Sequence, residues 1–338
     1  MSGARSVATS PLAARMEVSS RKLMLALDAE WDGIVSPKIA VELFWPANLR
    51  LAWPAKLLVC LPGGGMNRGY FDIGGDNPGG FSFARHMAGN GFVVACVDHL
   101  GIGESTRPAD GFILTPTLLA EANKDATRQI ANGLRNGSLL PELPSLPELR
   151  TIGVGHSMGA MLTVVQQADE PTHAALVLLG FSNRGLADYL PPQAQALIDA
   201  PATIAKRIAA IARQLHATPY GDLAPSQESS AMFHGAKADR AAVDALKLAR
   251  DKLLVVAGLQ SIIPGGLTPQ LGTIETPVFL AVGDHDIAGP PHAIPASFPG
   301  SRDISLLILK DTGHAHFIFP SRCTLFQKVA DWIATLAE

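Results

Sequence analysis

Eight short apolar runs, each closed by a turn signal, constrain this chain more than any other feature. They cover residues 23–29, 39–45, 56–61, 92–98, 149–154, 175–179, 277–282 and 305–309. The first two partly alternate apolar and polar residues, which suits an antiparallel hairpin at the start of a sheet. The other six are continuous, as expected of strands buried on both faces in a parallel sheet. Helical patterns lie between them. Thr115 stands where a helix N-cap belongs, with Pro116 at the first helical position. Leu119, Ala122, Ala126, Ile130 and Leu134 then recur at three- and four-residue spacing, as do Leu325, Val329, Trp332 and Leu336 near the C-terminus. Strands alternating with amphipathic helices imply right-handed crossovers. The expected fold class is α/β, a mostly parallel, doubly wound sheet of about eight strands.

The alternation breaks between Phe181 and Thr276. Ala-rich helical stretches at 201–215 and 236–249 lie there between Pro- and Gly-containing loops, and 252–259 fits helix and strand equally. An insertion of this length between two core strands is too long for a loop. The expected organisation is a core of residues 21–180 and 277–338, with 181–276 as a helical cap or lid. Residues 1–20 are expected to form a disordered tail. Met1–Arg15 carries Arg5, Arg15 and several serines with no acid before Glu17, a composition shared with transit peptides. It lacks the apolar stretch of a secretory signal, and a cytoplasmic location is the expectation.

With 338 residues and 47% hydrophobic content, the chain can build a substantial core. A net charge of -3 gives no electrostatic footprint for nucleic acid, and no apolar run is long enough to span a membrane. Cys60, Cys96 and Cys323 lack metal-ligand spacing. The first two fall inside buried strands and read as small core residues. No metal and no cofactor is expected.

Gly155-His156-Ser157-Met158-Gly159 joins the fifth run to a helical stretch at 158–168. A serine between glycines on a strand-to-helix turn has the form of a nucleophile elbow, which lifts the hydroxyl above the sheet edge. A serine needs a base to take its proton and an acid to orient that base. In open parallel sheets such groups gather at the carboxyl ends of strands. The last two runs are followed by Gly283-Asp284-His285-Asp286 and by Gly313-His314-Ala315-His316, so each loop offers two candidates. The order Ser, Asp, His is that of one known triad arrangement.

With these residues in view, the chain from about Leu23 onward resembles the α/β-hydrolase fold superfamily, in particular its serine hydrolases of esterase and lactonase type with a helical cap. Asp98-His99-Leu100-Gly101-Ile102-Gly103-Glu104-Ser105 is similar to the family's D-x-x-G-x-G-x-S loop, and residues 283–286 to its G-x-x-D turn. The resemblance implies Asp286 as triad acid, with Asp284 as rival, and His314, directly after Gly313, as base, with His316 as rival. The losing member of each pair is expected to be an ordinary polar loop residue. His156 is expected to pack beside the nucleophile, and His99 and His285 to be loop residues.

One oxyanion-hole donor is expected from the Met158 N–H, the residue after the nucleophile. The other is expected from Pro62-Gly63-Gly64-Gly65, which resembles the H-G-G-G motif of esterases with proline in place of histidine. Gly64 is the first choice and Gly65 the second. This glycine run lacks the Lys-Ser/Thr end of a phosphate-binding loop. Phe181, Tyr189, Tyr220 and Phe233 in the insertion are candidates to line a pocket, or else pack the cap's own core.

The implied activity is cleavage of a small, apolar carboxylic ester or lactone through an acyl-enzyme. The same machinery serves thioesters and carbon–carbon bonds of β-diketone type, and a non-catalytic ligand-binding role is the alternative from another class.

Overall fold

Successive residues of a strand leave the sheet in opposite directions, and here both directions lead into apolar layers. The computed structural model describes residues 17–75, 80–222 and 237–336. Strands β3 (Lys56–Leu61), β4 (Val93–Val97), β6 (Ala175–Leu179) and β9 (Val278–Gly283) are buried at every position. Leu57, Val59, Leu61, Val93 and Ala95 face one layer, shared with helices α2 (Pro116–Asn136) and α3 (Met158–Asp169). Leu58, Cys60, Val94 and Cys96 face the other, shared with α1 (Phe83–Gly89) and the C-terminal helix Arg322–Thr335. Cys60 and Cys96 are paired across β3 and β4 as free, buried thiols.

Eight strands form one sheet in the order β1-β2-β4-β3-β5-β6-β9-β10, where β1 is Val18–Ala26, β2 Lys38–Pro46, β5 Arg150–His156 and β10 Ile304–Leu309. The β1–β2 and β2–β4 pairs are antiparallel and all others in the sheet are parallel. This is the α/β architecture expected from the apolar runs. The first strand differs in position: it begins at Val18, inside the span assigned to a tail, and ends at Ala26. Its first half is largely polar and exposed, so hydropathy does not mark it. Pairing with β2, from Val18 against Pro46 to Ala26 against Lys38, defines it instead. Residues 1–16 lie outside the described residues.

The α2 signals behave as local chemistry dictates. The Thr115 hydroxyl accepts from the Leu118 N–H at 3.2 Å, Pro116 opens the helix, and Gly137 closes it at φ 73°.

Within the insertion, α4 (Ile204–Leu215) and α6 (Val255–Ser261) share a separate apolar cluster that includes Leu190, Leu197, Ile208, Val256 and Leu259. The short helix α5 (Arg240–Leu246) packs elsewhere: Ala242 and Leu246 join the second layer beside Phe317 and Ile318. The ambiguous stretch 252–259 divides. Leu253–Leu254 forms a strand (β8) against Tyr220–Gly221 (β7), and α6 follows at once. The C-terminal helix Arg322–Thr335 is α7, and among the described residues no helix is long and apolar enough to cross a membrane.

Candidate active site

Strand β5 ends at His156 and α3 starts at Met158, leaving Ser157 alone to make the turn. Its backbone sits at φ 53° and ψ -119°, and its N–H donates to the Leu179 carbonyl at 2.8 Å. A non-glycine residue held at positive φ is strained. The flanking glycines are steric requirements. A Cβ at Gly155 would overlap the backbone of Ala160, and one at Gly159 would overlap the Leu61 carbonyl at the end of β3. The helix can therefore press onto the sheet only where side chains are absent.

The loops after β9 and β10 bring two side chains to this turn. His314 Nε2 lies 2.8 Å from Ser157 Oγ, and His314 Nδ1 lies 2.7 Å from Asp286 Oδ1. The Asp286 side chain is fully buried and that of His314 nearly so. Burial alone would raise the Asp286 carboxyl. The charges and hydrogen bonds of His314 and His316 outweigh it and hold the carboxyl well below the usual carboxylate range. The carboxylate is thus fixed as an anion beside the imidazole.

The rival residues occupy different places. Asp284 accepts from the Asp311 and Thr312 N–H groups at 2.9 and 3.0 Å and braces the loop after β10 from outside. Burial opposes ionisation of Asp284, but those N–H groups keep its carboxyl below the ordinary value. His316 makes no contact with Ser157 in the way His314 does, yet it is no ordinary loop residue. It is completely buried, and its Nε2 lies 2.7 Å from Asp286 Oδ2. That role was not legible in the sequence, because two residues of separation in a loop say nothing about which way each ring turns. His285 is exposed, as a loop residue should be. With Asp284 and Asp311 it forms a solvent-facing group of possible ligand atoms, but both Asp284 oxygens already accept backbone N–H bonds.

His156 packs beside the nucleophile. Its ring stacks on Tyr70 at 4.5 Å, and Nε2 lies 2.9 Å from the His314 carbonyl. Burial, reinforced by His314 and His316, pushes the His156 imidazole well below its usual range, so it is held neutral. His99 lies in a loop, as expected, but it is not an exposed one. It is fully buried, its Nε2 lies 3.0 Å from the Pro62 carbonyl and its Nδ1 contacts Asn123. His99 therefore anchors the start of the glycine loop. Its neighbour Asp98 is also structural: it accepts from the Arg68 and Glu104 N–H groups and pairs with the Arg68 guanidinium.

The glycine loop crosses directly over the elbow. A Cβ at Gly63 would stand 2.9 Å from His156 Nδ1 and 3.1 Å from Ser157 Cβ, and one at Gly64 would meet Leu253 at 2.7 Å. Gly65 sits at φ 74°. The insertion holds the far side of the loop: Asp251 N–H donates to the Gly65 carbonyl and Asn67 N–H to the Ala249 carbonyl, both at 2.8 Å. Gly64 and Met158 thus lie on the two segments flanking Ser157.

A cleft of ≈ 80 Å³ opens at Ser157 and His314. Met161, Leu186, Ile262, Ile263, Leu267 and Ile287 give it aliphatic wall, and Ser182, Asn183, Gln260 and Ser261 give it polar points. Phe181 lines it. Tyr189 does not; it is 58% exposed on a short turn. Tyr220 also lies away from it: its hydroxyl donates to the Pro108 carbonyl at 2.7 Å and its ring receives the Arg107 guanidinium. Tyr220 fastens β7 to the loop before α2, a packing role that aromatic character alone does not distinguish from a pocket role. Phe233 lies outside the described residues.

This fold, with a serine turn between its fifth strand and third helix, defines an α/β hydrolase. The model of the alpha/beta hydrolase family matches residues 58–323, and the chain belongs to that family. No protein of curated function matches the sequence. Similar solved structures include a thermophilic esterase from Thermogutta terrifontis, 16% identical over 93% of this chain and 98% of that one, with a TM-score of 0.57. The enol-lactonase from Burkholderia xenovorans LB400 is 15% identical over 92% and 99%, with a TM-score of 0.56. Proline iminopeptidase from Mycobacterium smegmatis is 17% identical over 93% and 97%, with a TM-score of 0.58. At these identities the likeness is one of fold.

Proposed function

We propose that this protein is a serine hydrolase that cleaves small carboxylic esters or lactones. The observation that carries the proposal is the unbroken chain from Ser157 Oγ to His314 at 2.8 Å and from His314 to Asp286 at 2.7 Å. Ser157 attacks the carbonyl carbon while His314 Nε2 takes the hydroxyl proton. Asp286 accepts from His314 Nδ1 throughout, which sets the tautomer and stabilises the imidazolium. The N–H groups of Met158 and Gly64, with Gly65 as the alternate, receive the developing oxyanion. His314 then gives its proton to the leaving oxygen. Water, deprotonated by His314, releases the acid from the acyl-enzyme. No metal or cofactor enters these steps.

Two features support esters or lactones with short acyl parts. The cleft is small, and Met161, Leu186, Ile262, Ile263, Leu267 and Ile287 offer aliphatic contact beside polar groups from Ser182, Asn183, Gln260 and Ser261. The test combines labelling with turnover. A fluorophosphonate probe should label the wild-type protein and leave Ser157→Ala unlabelled. Across p-nitrophenyl esters from acetate to octanoate, and a matched set of lactones and thioesters, the shortest oxygen esters and lactones should turn over fastest. Equal labelling of Ser157→Ala would refute the nucleophile. A preference for thioesters or for a β-diketone would keep the triad and move the substrate.

A further inference from the structure

Asp286 holds two imidazoles, and the reaction written above uses only one. Its Oδ1 accepts from His314 Nδ1 at 2.7 Å and from the Ala288 N–H at 2.9 Å. Its Oδ2 faces His316 Nε2 at 2.7 Å. An ionised carboxylate only accepts hydrogen bonds, so His316 Nε2 carries a proton. In the neutral ring Nδ1 is then bare, and it is buried with no partner among the described residues. Leaving a buried polar atom unpaired forfeits its hydration without replacing it. A residue chosen only to fill space would avoid that cost.

We propose that His316 is a positioning residue for the triad: its Nε2–H bond to Asp286 Oδ2 fixes the plane of the carboxylate and takes a share of its negative charge, thereby tuning its hold on His314. Without that bond the carboxylate could turn about its Cβ–Cγ axis, and only Oδ1 would remain tied. More charge would also fall on Oδ1, so the His314 cation would be held more tightly and would return its proton at higher pH. Among the described residues, the ionisable side chains seen against His314 are Asp286 on the loop after β9, His156 at the end of β5 and His316 on its own loop, with Tyr70 behind His156. Burial holds His156 neutral and keeps the Tyr70 phenol protonated well above its ordinary range, with the Asp286 charge adding to the effect. Neither of the two can stand in for His316 as a donor to Oδ2 without leaving its present place.

The inference rests on the proposed triad, and the experiment separates the two. The rate constant for fluorophosphonate labelling is measured from acid to alkaline pH in wild type, His316→Phe and His316→Gln. Phe keeps the ring volume and removes the donor; the Gln amide can place an N–H where Nε2 stands. Expected is an acid limb moved upward by about one pH unit in His316→Phe, with restoration in His316→Gln. Thermal denaturation is followed in parallel. If His316→Phe does not fold, His316→Asn, whose amide is too short to reach Oδ2, carries the same expectation. An unshifted acid limb in a folded donor-free variant would overturn the inference, as would equal shifts in the donor-free variant and His316→Gln. Labelling that survives Ser157→Ala would instead overturn the triad itself.

Discussion

The carboxyl end of the sheet and the insertion above it were built by different rules. At the sheet end, each candidate group follows a strand: Ser157 follows β5, Asp286 follows β9, His314 follows the half-buried edge strand β10, and the glycine loop follows β3. The strands fix these positions, and the glycines fix how closely the loops approach. The insertion has its own cluster around α4 and α6, but it also sends α5 into the sheet's second layer and pins the glycine loop through Ala249 and Asp251. It is therefore both a wall of the cleft and a brace for the site. Chemistry is expected to depend on the first region and substrate choice on the second.

The largest effect that could break this division is at the acid. On the proposed triad, Asp286→Asn should lower kcat/KM on an activated ester by about 10⁴, with the tautomer of His314 lost. Asp284→Asn should cost less than about tenfold in rate while lowering the melting temperature, because it weakens the brace on Asp311 and Thr312. A larger rate loss from Asp284→Asn would reverse the two roles.

Stability against acid should also track the sheet and not the insertion. Burial pushes the His173 imidazole, beneath β5, down to about 3. The unfolded chain takes up that proton near pH 6.5, so the folded state is at full advantage above that value and loses it as pH falls towards 3. Between about pH 7 and pH 4.5 this one group should cost roughly 2–3 kcal/mol. Urea midpoints at the two pH values should show a smaller drop in His173→Gln than in wild type.

On the insertion side the effects should be smaller and fall on binding. Phe181→Ala should raise KM by about 10-fold for a substrate that fills the cleft, with kcat little changed, consistent with the 1–3 kcal/mol of one apolar contact. Tyr220→Phe should leave both kinetic constants alone and cost about 1 kcal/mol of stability, from its bond to Pro108. Tyr189→Ala should change neither by more than about 0.5 kcal/mol. A KM effect from Tyr220→Phe exceeding that of Phe181→Ala would show that the cleft extends to β7.

The contrast also explains what could be read in advance. Parallel strands announce themselves as short apolar runs because both faces are buried, and the sheet order then carries Ser157, Asp286 and His314 to one edge. The start of β1 was invisible because its residues are polar and only pairing with β2 makes them a strand. The contacts of His316 and His99 were not legible for a related reason: they depend on ring orientation inside loops, and no periodicity encodes it. Tyr220 and Phe181 look alike in the sequence. One is tied to Pro108 and the other reaches the cleft, a difference decided by how β7 and β6 end.

Ser157 stands at φ 53°, a backbone conformation that glycine enters freely and serine does not. The fold by itself would be served as well or better by glycine there, since relief of about 1–3 kcal/mol of strain would offset the extra freedom glycine gains in the unfolded chain. Every copy of this protein therefore carries a small thermodynamic handicap at one position. Drift without selection for the hydroxyl would be biased toward removing it. On the proposed triad, that handicap is the stability given up to hold one hydroxyl above the sheet edge.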